Sequence, residues 1–290
     1  MARGDFRQMA IHGLKEATRV RLELGVPAHA PVDPVDLAAQ CGCQVSFRNL
    51  PSLDGLYLSR KCPVIVIGSQ RPIGRRTFTA AHELGHHRFG HGTSLDQLGP
   101  VQGTAQVTRS EEDQLVDRFA GFLLMPRDGI LKAVQARSWD IDRLAPLQVL
   151  VLASQFGVGY TTLVDHLAFG LRLIGTDRRA KLCETKPADI KRRFDVTPNA
   201  NILMADRQWA DRAIDMEVGD SLITPLGVAE EKEGLLVQAT SGRLVSFQAC
   251  QPGVSRLVSS TDGWAAYVRV SRRWYEGHAE YRFLEDTEDD

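Results

Sequence analysis

The sequence predicts an α+β protein, with helices in its first two thirds and strands in its last third. Apolar residues recur at helical spacing over residues 5–26, which indicates an amphipathic first helix. The β-branched run Pro63–Gly68 is typical of a buried strand. Beyond about residue 195, short apolar segments alternate with Gly, Asp and Pro turn residues, which favours a β-rich fold there.

The length indicates more than one domain. At 290 residues the chain has room for two or three domains, since a domain has ~150 residues on average. We predict a first domain at residues 1–127, a helical module with a basic linker at 128–193, and a β-rich domain at 194–290. The net charge of −1 does not fit a uniformly basic protein that coats nucleic acid.

Composition also bears on location. The N-terminal residues lack an apolar signal-peptide core, and no stretch approaches the ~20 apolar residues of a membrane span. The five cysteines are odd in number and scattered, which fits reduced thiols better than disulfides. We therefore expect a cytoplasmic protein without membrane contact.

Two helices are predicted between residues 75 and 125. One covers residues 75–89 and ends at a pair of glycines. The other covers 110–125, with Ser110 as N-cap and Asp113 three positions later, as in a capping box. Residues 93–109 between them are predicted to form a mobile loop.

The first of these helices contains a His-Glu-x-x-His motif formed by His82, Glu83 and His86. Residues four positions apart leave the same face of a helix, so both imidazoles can bind one metal ion. Glu83 would lie beside the metal without ligating it. There it can take a proton from the activated water and deliver it to a leaving amine, as in a metallopeptidase.

A third protein ligand is needed to complete such a site. A downstream histidine at the spacing of the longer His-Glu-x-x-His motifs is absent, because Gly92 occupies that position. The second helix offers carboxylates instead. We expect Asp113 to be the ligand, with Glu112 as the alternative. Asp117, four residues after Asp113, would hydrogen-bond the far nitrogen of a ligand histidine.

These residues resemble the ImmA/IrrE family of metallopeptidases. The resemblance rests on Arg75-Arg-Thr-Phe-Thr-Ala-Ala-His-Glu-Leu-Gly-His86 and on Asp117-Arg-Phe-Ala-Gly-Phe-Leu-Leu-Met-Pro126. The family's second motif is E-x-x-A-(N/D)-x-F-A-x-x-L-L-M-P. Here Asp113 stands at the position of the glutamate ligand and Val116 at that of the alanine, so this chain departs from the pattern twice.

The resemblance implies a zincin-like peptidase domain that binds Zn²⁺, a helix-turn-helix-like middle and a sensor-like C-terminal domain of GAF type. It implies cleavage of a helix-turn-helix repressor, which derepresses genes of DNA-damage response, phage-like elements or defence. Single-stranded DNA is the activating signal that it suggests. Mn²⁺ can also occupy a histidine–carboxylate site.

Residues 153–167 fit a helix-turn-helix template, with Gly157 at the turn. The recognition-helix positions of this template carry no Lys or Arg, so we favour a structural role over DNA contact. Basic residues are frequent just beyond it, with eight Lys or Arg against three Asp or Glu in 172–193. The candidate nucleic-acid contacts are Arg178, Arg179, Arg192, Arg193, Arg272 and Arg273.

Several alternatives stay open at this point. The chain could be a non-catalytic sensor or DNA-binding regulator that keeps a metal for structure, although Glu83 favours an enzyme because a structural site has no use for a general base. Tyr57 and His91 are candidates for the donor that stabilises the oxyanion. Cys62 is a minor candidate for a thiol that occupies the open metal position.

Overall fold

The computed structural model describes residues 3–97, 110–209, 212–232, 234–241 and 244–284. Helices dominate up to residue 193 and strands dominate from residue 202 onward, which confirms the mixed α+β class. The helices are α1 (Arg3–Glu23), α2 (Pro34–Gln40), α3 (Ile73–Arg88), α4 (Glu111–Leu124), α5 (Arg127–Ala136), α6 (Pro146–Gln155), α7 (Tyr160–Asp165), α8 (Thr176–Cys183) and α9 (Pro187–Arg193).

The first sheet has five strands in the order β13-β1-β3-β2-β4. β1 and β3 are parallel, and the other neighbours are antiparallel. β13 comes from the C-terminal part of the chain, so this sheet joins the two ends of the sequence. The strands are β1 (Gln44–Arg48), β2 (Leu53–Leu58), β3 (Val64–Gly68), β4 (Ser94–Gln97) and β13 (Gly277–His278).

Strand β4 corrects the sequence prediction of a mobile loop at residues 93–109. Ser94–Gln97 pairs antiparallel with β2, and Leu95 lies opposite Leu56. The four residues have neither β-branched side chains nor an alternating pattern, so pairing with β2, rather than local propensity, makes them a strand. Residues 98–109 of the predicted loop lie outside the described residues.

Helices α3 and α4 cross at very short range. A β-carbon added at Gly85 of α3 would lie 2.8 Å from Cβ of Val116 on α4. A second close approach sets α3 on the sheet, where a β-carbon at Gly55 of β2 would lie 2.4 Å from Cγ2 of Thr79. Glycine at both positions thus lets α3 pack against its two neighbours without a clash.

Helix α4 begins as predicted. The Ser110 hydroxyl accepts a hydrogen bond from the Asp113 N–H at 3.0 Å, and Asp113 Oδ2 accepts one from the Ser110 N–H at 3.1 Å. This is the reciprocal capping box, which satisfies two backbone donors at the helix start. It also holds Oδ2 of Asp113 at the backbone of Ser110, at the start of the helix.

Helix α6 and the segment Tyr160–Gly170, which includes α7 and a π-helical turn, are bent by 98°. The connection carries Gly157 at φ +67°, a conformation that favours glycine. Two helices near a right angle around a short glycine-containing turn are compatible with the predicted helix-turn-helix module. That assignment and its boundaries stay predictions.

No single helix within the described residues is long and apolar enough to cross a membrane. Helix α6 and the bent segment Tyr160–Gly170 meet that length and composition test only when they are taken together.

The C-terminal strands form two four-stranded sheets, in the orders β5-β7-β10-β9 and β6-β12-β11-β8. Their inward side chains share a second apolar core, which includes Phe247 and Val268. The described residues between 202 and 271 contain no helix, so the GAF-type arrangement is not confirmed. The strands are β5 (Ile202–Met204), β6 (Ile214–Glu217), β7 (Ser221–Pro225), β8 (Val228–Glu230), β9 (Leu236–Ser241), β10 (Leu244–Ala249), β11 (Gly253–Ser259) and β12 (Ala265–Ser271).

The C-terminal sheets contact the start of α3. Arg76 of α3 donates to Oε1 of Glu217 at 2.7 Å, and both side chains are buried or nearly so. The Ile73 N–H donates to Oδ1 of Asn201 at 3.3 Å. The helix that carries the His-Glu-x-x-His motif is therefore held near its N-terminus by residues of the C-terminal, β-rich part of the chain.

Candidate metal centre

His82 and His86 lie one turn apart on α3 and are both buried. Their Nε2 atoms are 3.2 Å apart. Two nitrogens that bind one tetrahedral zinc at about 2.0–2.1 Å lie about 3.3 Å from each other. The spacing of the two imidazoles therefore fits a shared metal ion.

Asp113 supplies a carboxylate at the same place. Its Oδ1 lies 3.6 Å from Nε2 of His86, and the ligand-type atoms of His82, His86 and Asp113 are all within 4.8 Å of one another. Oδ2 of Asp113 is the oxygen that caps α4, so one carboxylate can serve both purposes. The shorter side chain reaches the histidines because Gly85 brings the helices close.

Glu112 lies elsewhere. Its side chain is 64% exposed, and its Oε2 is 4.0 Å from Nδ1 of His91. It groups with His86 and His91 rather than with His82. The geometry therefore favours Asp113 over Glu112 as the third ligand.

Asp117 orients His82. The distance from Nδ1 of His82 to Oδ1 of Asp117 is 3.0 Å, and because a carboxylate accepts, Nδ1 carries the proton. Nε2 then keeps its lone pair toward the metal position. Burial alone would lower the pKa of His82, but the hydrogen bond and charge of Asp117 raise it above its usual value.

His91 lies in the corresponding position beside His86, with the two Nδ1 atoms 2.9 Å apart. Burial, together with the neighbouring His82 and His91, lowers the pKa of His86 to about 4. His86 is therefore neutral near pH 7, which is the form that binds a metal.

Glu83 is fully buried beside the two histidines. Its Oε2 accepts a hydrogen bond from the Ser94 hydroxyl at 3.1 Å, and its Oε1 has no hydrogen-bond partner among the described residues. Burial raises the pKa of this carboxyl to about 8. A buried carboxyl oxygen without a protein partner, next to a metal position, fits a partner that is not protein, such as a water molecule.

Strand β4 contributes two residues that sequence reasoning missed. Ser94 holds Glu83, and Asp96 forms a further group with His82 and Glu83, with ligand-type atoms within 4.8 Å of one another. Both arrive through the pairing of β4 with β2. The sequence itself carries no local signal for that contact.

The other candidates lie in different places. The Tyr57 hydroxyl is 3.0 Å from Nδ1 of His87, and it also interacts with the Ser59 side chain. Cys62 is exposed between β2 and β3, and the described residues place no cysteine with the candidate ligands. The oxyanion donor stays unassigned.

A cleft of about 370 Å³ opens beside His82. The π-helical turn after α7 forms one wall, and it is tied to the end of α4 because Nε2 of His166 donates to the Met125 carbonyl at 3.0 Å. Residues from α3, β4, α4 and this turn line it: Phe78, Asp96, Arg118, Met125, His166 and Phe169.

The six arginines that were candidates for nucleic-acid contact lie on α8, on α9 and directly after β12. They make contacts within the chain itself. Arg179 binds Asp165 at 2.6 Å, and Arg192 lies 3.3 Å from Asp189. Arg178 donates to the Leu144 carbonyl, Arg273 donates to the Asn199 carbonyl, Arg193 lies over the ring of Phe194, and Arg272 also has a partner. Their role toward nucleic acid stays a prediction.

Comparison with known proteins agrees with the site. The model of the IrrE N-terminal-like domain, a peptidase family, matches residues 38–167. No curated protein matches the chain. The matched region includes α3, β4 and α4, and with them both histidines, Glu83 and Asp113. Residues 38–167 therefore form a metallopeptidase domain of the ImmA/IrrE family.

Proposed function

We propose that this chain is a zinc endopeptidase that cuts a helix-turn-helix transcriptional repressor, so that a DNA-damage, phage-related or defence operon is derepressed. One observation carries the peptidase chemistry. The buried Glu83 lies on the same helical turn as two histidines whose Nε2 atoms are 3.2 Å apart. Two histidines and a carboxylate are a ligand set that zinc favours and that leaves a position open for reaction.

The residues of the site divide the chemistry among them. Zinc held by His82, His86 and Asp113 would polarise the scissile carbonyl and acidify a water molecule. Glu83 would act as the general base that takes a proton from water and as the general acid that gives it to the leaving amine. Ser94 holds one oxygen of Glu83, which leaves Oε1 as the oxygen that exchanges the proton.

The position of β4 supports a protein substrate. β4 is one of the two edge strands of the first sheet in the described part of the chain, and it carries Ser94 and Asp96 beside the site. An extended peptide segment can add to such an edge through main-chain hydrogen bonds. This mode favours a cut in an extended, accessible segment of the substrate. A cytoplasmic location and activation by single-stranded DNA are further parts of the proposal.

The alternative, a non-catalytic DNA-binding regulator, has less support. A β-carbon at Gly74 of α3 would lie 2.5 Å from the backbone nitrogen of Gly159, so the N-terminus of α7 is covered by α3. The Tyr160 hydroxyl donates to the Leu182 carbonyl at 3.0 Å, inside the protein. A recognition helix needs those N-terminal residues free to reach base edges.

The proposal is tested with a helix-turn-helix repressor encoded beside this gene, if there is one. The repressor is incubated with the purified chain and zinc, with and without single-stranded DNA, and the products are sized by mass spectrometry. A single metal-dependent cut is expected. Intact repressor in both lanes, with zinc bound to the chain, would contradict the assignment of that repressor as the substrate.

A further inference from the structure

A second groove lies beyond the cleft at His82, with a volume of about 560 Å³. It is mostly apolar. Leu14 of α1 is 47% exposed and Phe169, after α7, is 51% exposed. The apolar lining comes from three parts of the chain: Ala10, Ile11, Leu14, Phe122, Phe169 and Leu171.

The charged residues that line this groove all have one sign. They are Arg7, Arg118, Arg127 and Arg172, and no carboxylate lies among the lining residues. Arg127 donates to the Leu171 carbonyl at 3.1 Å, which positions one cation at the rim. Four arginines around an apolar floor are a local concentration of positive charge in a chain whose net charge is −1.

The groove adjoins the cleft beside the candidate metal centre. Arg118, Phe169 and Gly170 line both. A polypeptide bound in the groove would therefore pass over Arg118 and Phe169 to reach His82. Because the two share these lining residues, we assign the groove to the part of a substrate that lies to one side of the cleaved bond.

We propose that this Arg-rimmed groove binds an acidic amphipathic segment of the protein substrate. Apolar side chains of the segment would pack on Leu14, Phe122 and Phe169, and its flanking carboxylates would face the four arginines. The apolar floor favours a peptide of this kind over a nucleic acid, whose contacts are phosphates and stacked bases. The inference rests on the proposed peptidase function, because it assigns the groove to the substrate of that same site.

The test measures binding without cleavage. The full-length chain with Glu83→Gln is titrated into a fluorescent 18-residue peptide in which leucines recur at helical spacing and glutamates flank them. A twin peptide carries lysine in place of every glutamate. Anisotropy is expected to report binding of the acidic peptide, weakened at least 10-fold by Arg7→Glu with Arg172→Glu. The matched control is Arg143→Glu, at an exposed position away from the groove.

The variant with Arg7→Glu and Arg172→Glu is also expected to gain binding of one peptide, and a misfolded protein would not show such a gain. The variant should bind the lysine peptide better than the unreversed chain does. Leu14→Ser should weaken binding of the acidic peptide but keep the preference for the acidic peptide over the lysine peptide. Equal binding of the two peptides, or the same affinity after reversal, would overturn the proposal. The proposal would also be overturned if a thymidine oligonucleotide displaced the acidic peptide and its own binding were weakened to the same degree by Arg7→Glu with Arg172→Glu.

The experiments distinguish failure of the proposed groove function from failure of the proposed peptidase activity. Cleavage of a repressor without any peptide binding would overturn the groove and leave the enzyme intact. Peptide binding without cleavage of any offered repressor would support the groove as a docking surface and count against the proposed catalysis.

Discussion

Gly85 on α3 lies so close to Val116 on α4 that an added β-carbon would be 2.8 Å from Cβ of the valine and 3.0 Å from Cδ1 of Phe119. A β-carbon does not come as close as 2.8 Å to another β-carbon in real proteins. The two helices can therefore lie at this separation only because Gly85 has no side chain. That separation in turn places Asp113 and Asp117 against the histidines of α3.

Substitution of Gly85 by alanine should therefore disturb both stability and the metal site. We expect a loss of about 1–3 kcal/mol in the free energy of unfolding, as for an overpacked core. Zinc affinity should fall as well, because Asp113 moves away from His86. Thermal unfolding and a zinc titration measure the two effects. Gly92→Ala is the matched control, since a β-carbon there meets nothing within 4 Å; equal effects in both variants would refute the explanation.

The third ligand is tested by comparing two neighbouring carboxylates. Asp113→Asn should lower zinc affinity at least 10-fold, because its Oδ1 lies 3.6 Å from Nε2 of His86. Glu112→Gln should leave the affinity within about 2-fold, since Glu112 is exposed and groups with His86 and His91 rather than with His82. Competition against a chromophoric chelator gives both values. The reverse order would show that Glu112 is the ligand.

Asp117 should act through the histidine that it orients. Asp117→Asn removes the charge that holds Nδ1–H of His82, so we expect zinc affinity to fall about 10- to 100-fold, as for other partners of ligand histidines. Imidazole proton signals in the NMR spectrum should show a changed tautomer at His82. A variant with unchanged affinity and an unchanged spectrum would contradict this role.

Arg76 should stabilise the contact between α3 and the C-terminal sheets in a pH-dependent way. Arg76→Ala leaves Glu217 buried without its charged partner, which costs about 3–5 kcal/mol for a buried pair. Burial already raises the pKa of Glu217, against the effect of Arg76, and without Arg76 that pKa rises further. The folded variant then favours the protonated acid, and its stability falls as pH rises through that pKa.

The deficit of Arg76→Ala relative to the unsubstituted chain should therefore be larger at pH 8 than at pH 5. Denaturant unfolding at the two pH values measures it. The double variant with Glu217→Gln removes the titrating group and should show no such pH trend. A deficit that shrinks with rising pH would mean that Glu217 is not the group responsible.

The features that could be predicted from the sequence are those set by residues close together in the chain. His82, Glu83 and His86 are set by spacing along one helix, and Asp113 and Asp117 by the spacing of a second helix with a capping signal. These relationships are visible in the chain itself.

Other features depend on contacts between distant segments. β4 is a strand only because β2 lies beside it, so Ser94 and Asp96 were missed. β13 joins the first sheet from the far end of the sequence, where it pairs with β1 through Ser46 and His278. Helical and β-rich regions were predictable from residue patterns, whereas the two-sheet arrangement at the C-terminus was not.

The most direct test of the central claim is to measure metal content and repressor cleavage together in Glu83→Gln. The amide keeps the shape of Glu83 but cannot accept the proton of water, so we expect zinc at the same stoichiometry as in the unsubstituted chain and cleavage reduced by at least 1000-fold. His82→Ala, measured beside it, should lose both metal and cleavage. Full cleavage by Glu83→Gln would contradict the account of Glu83 as the general base.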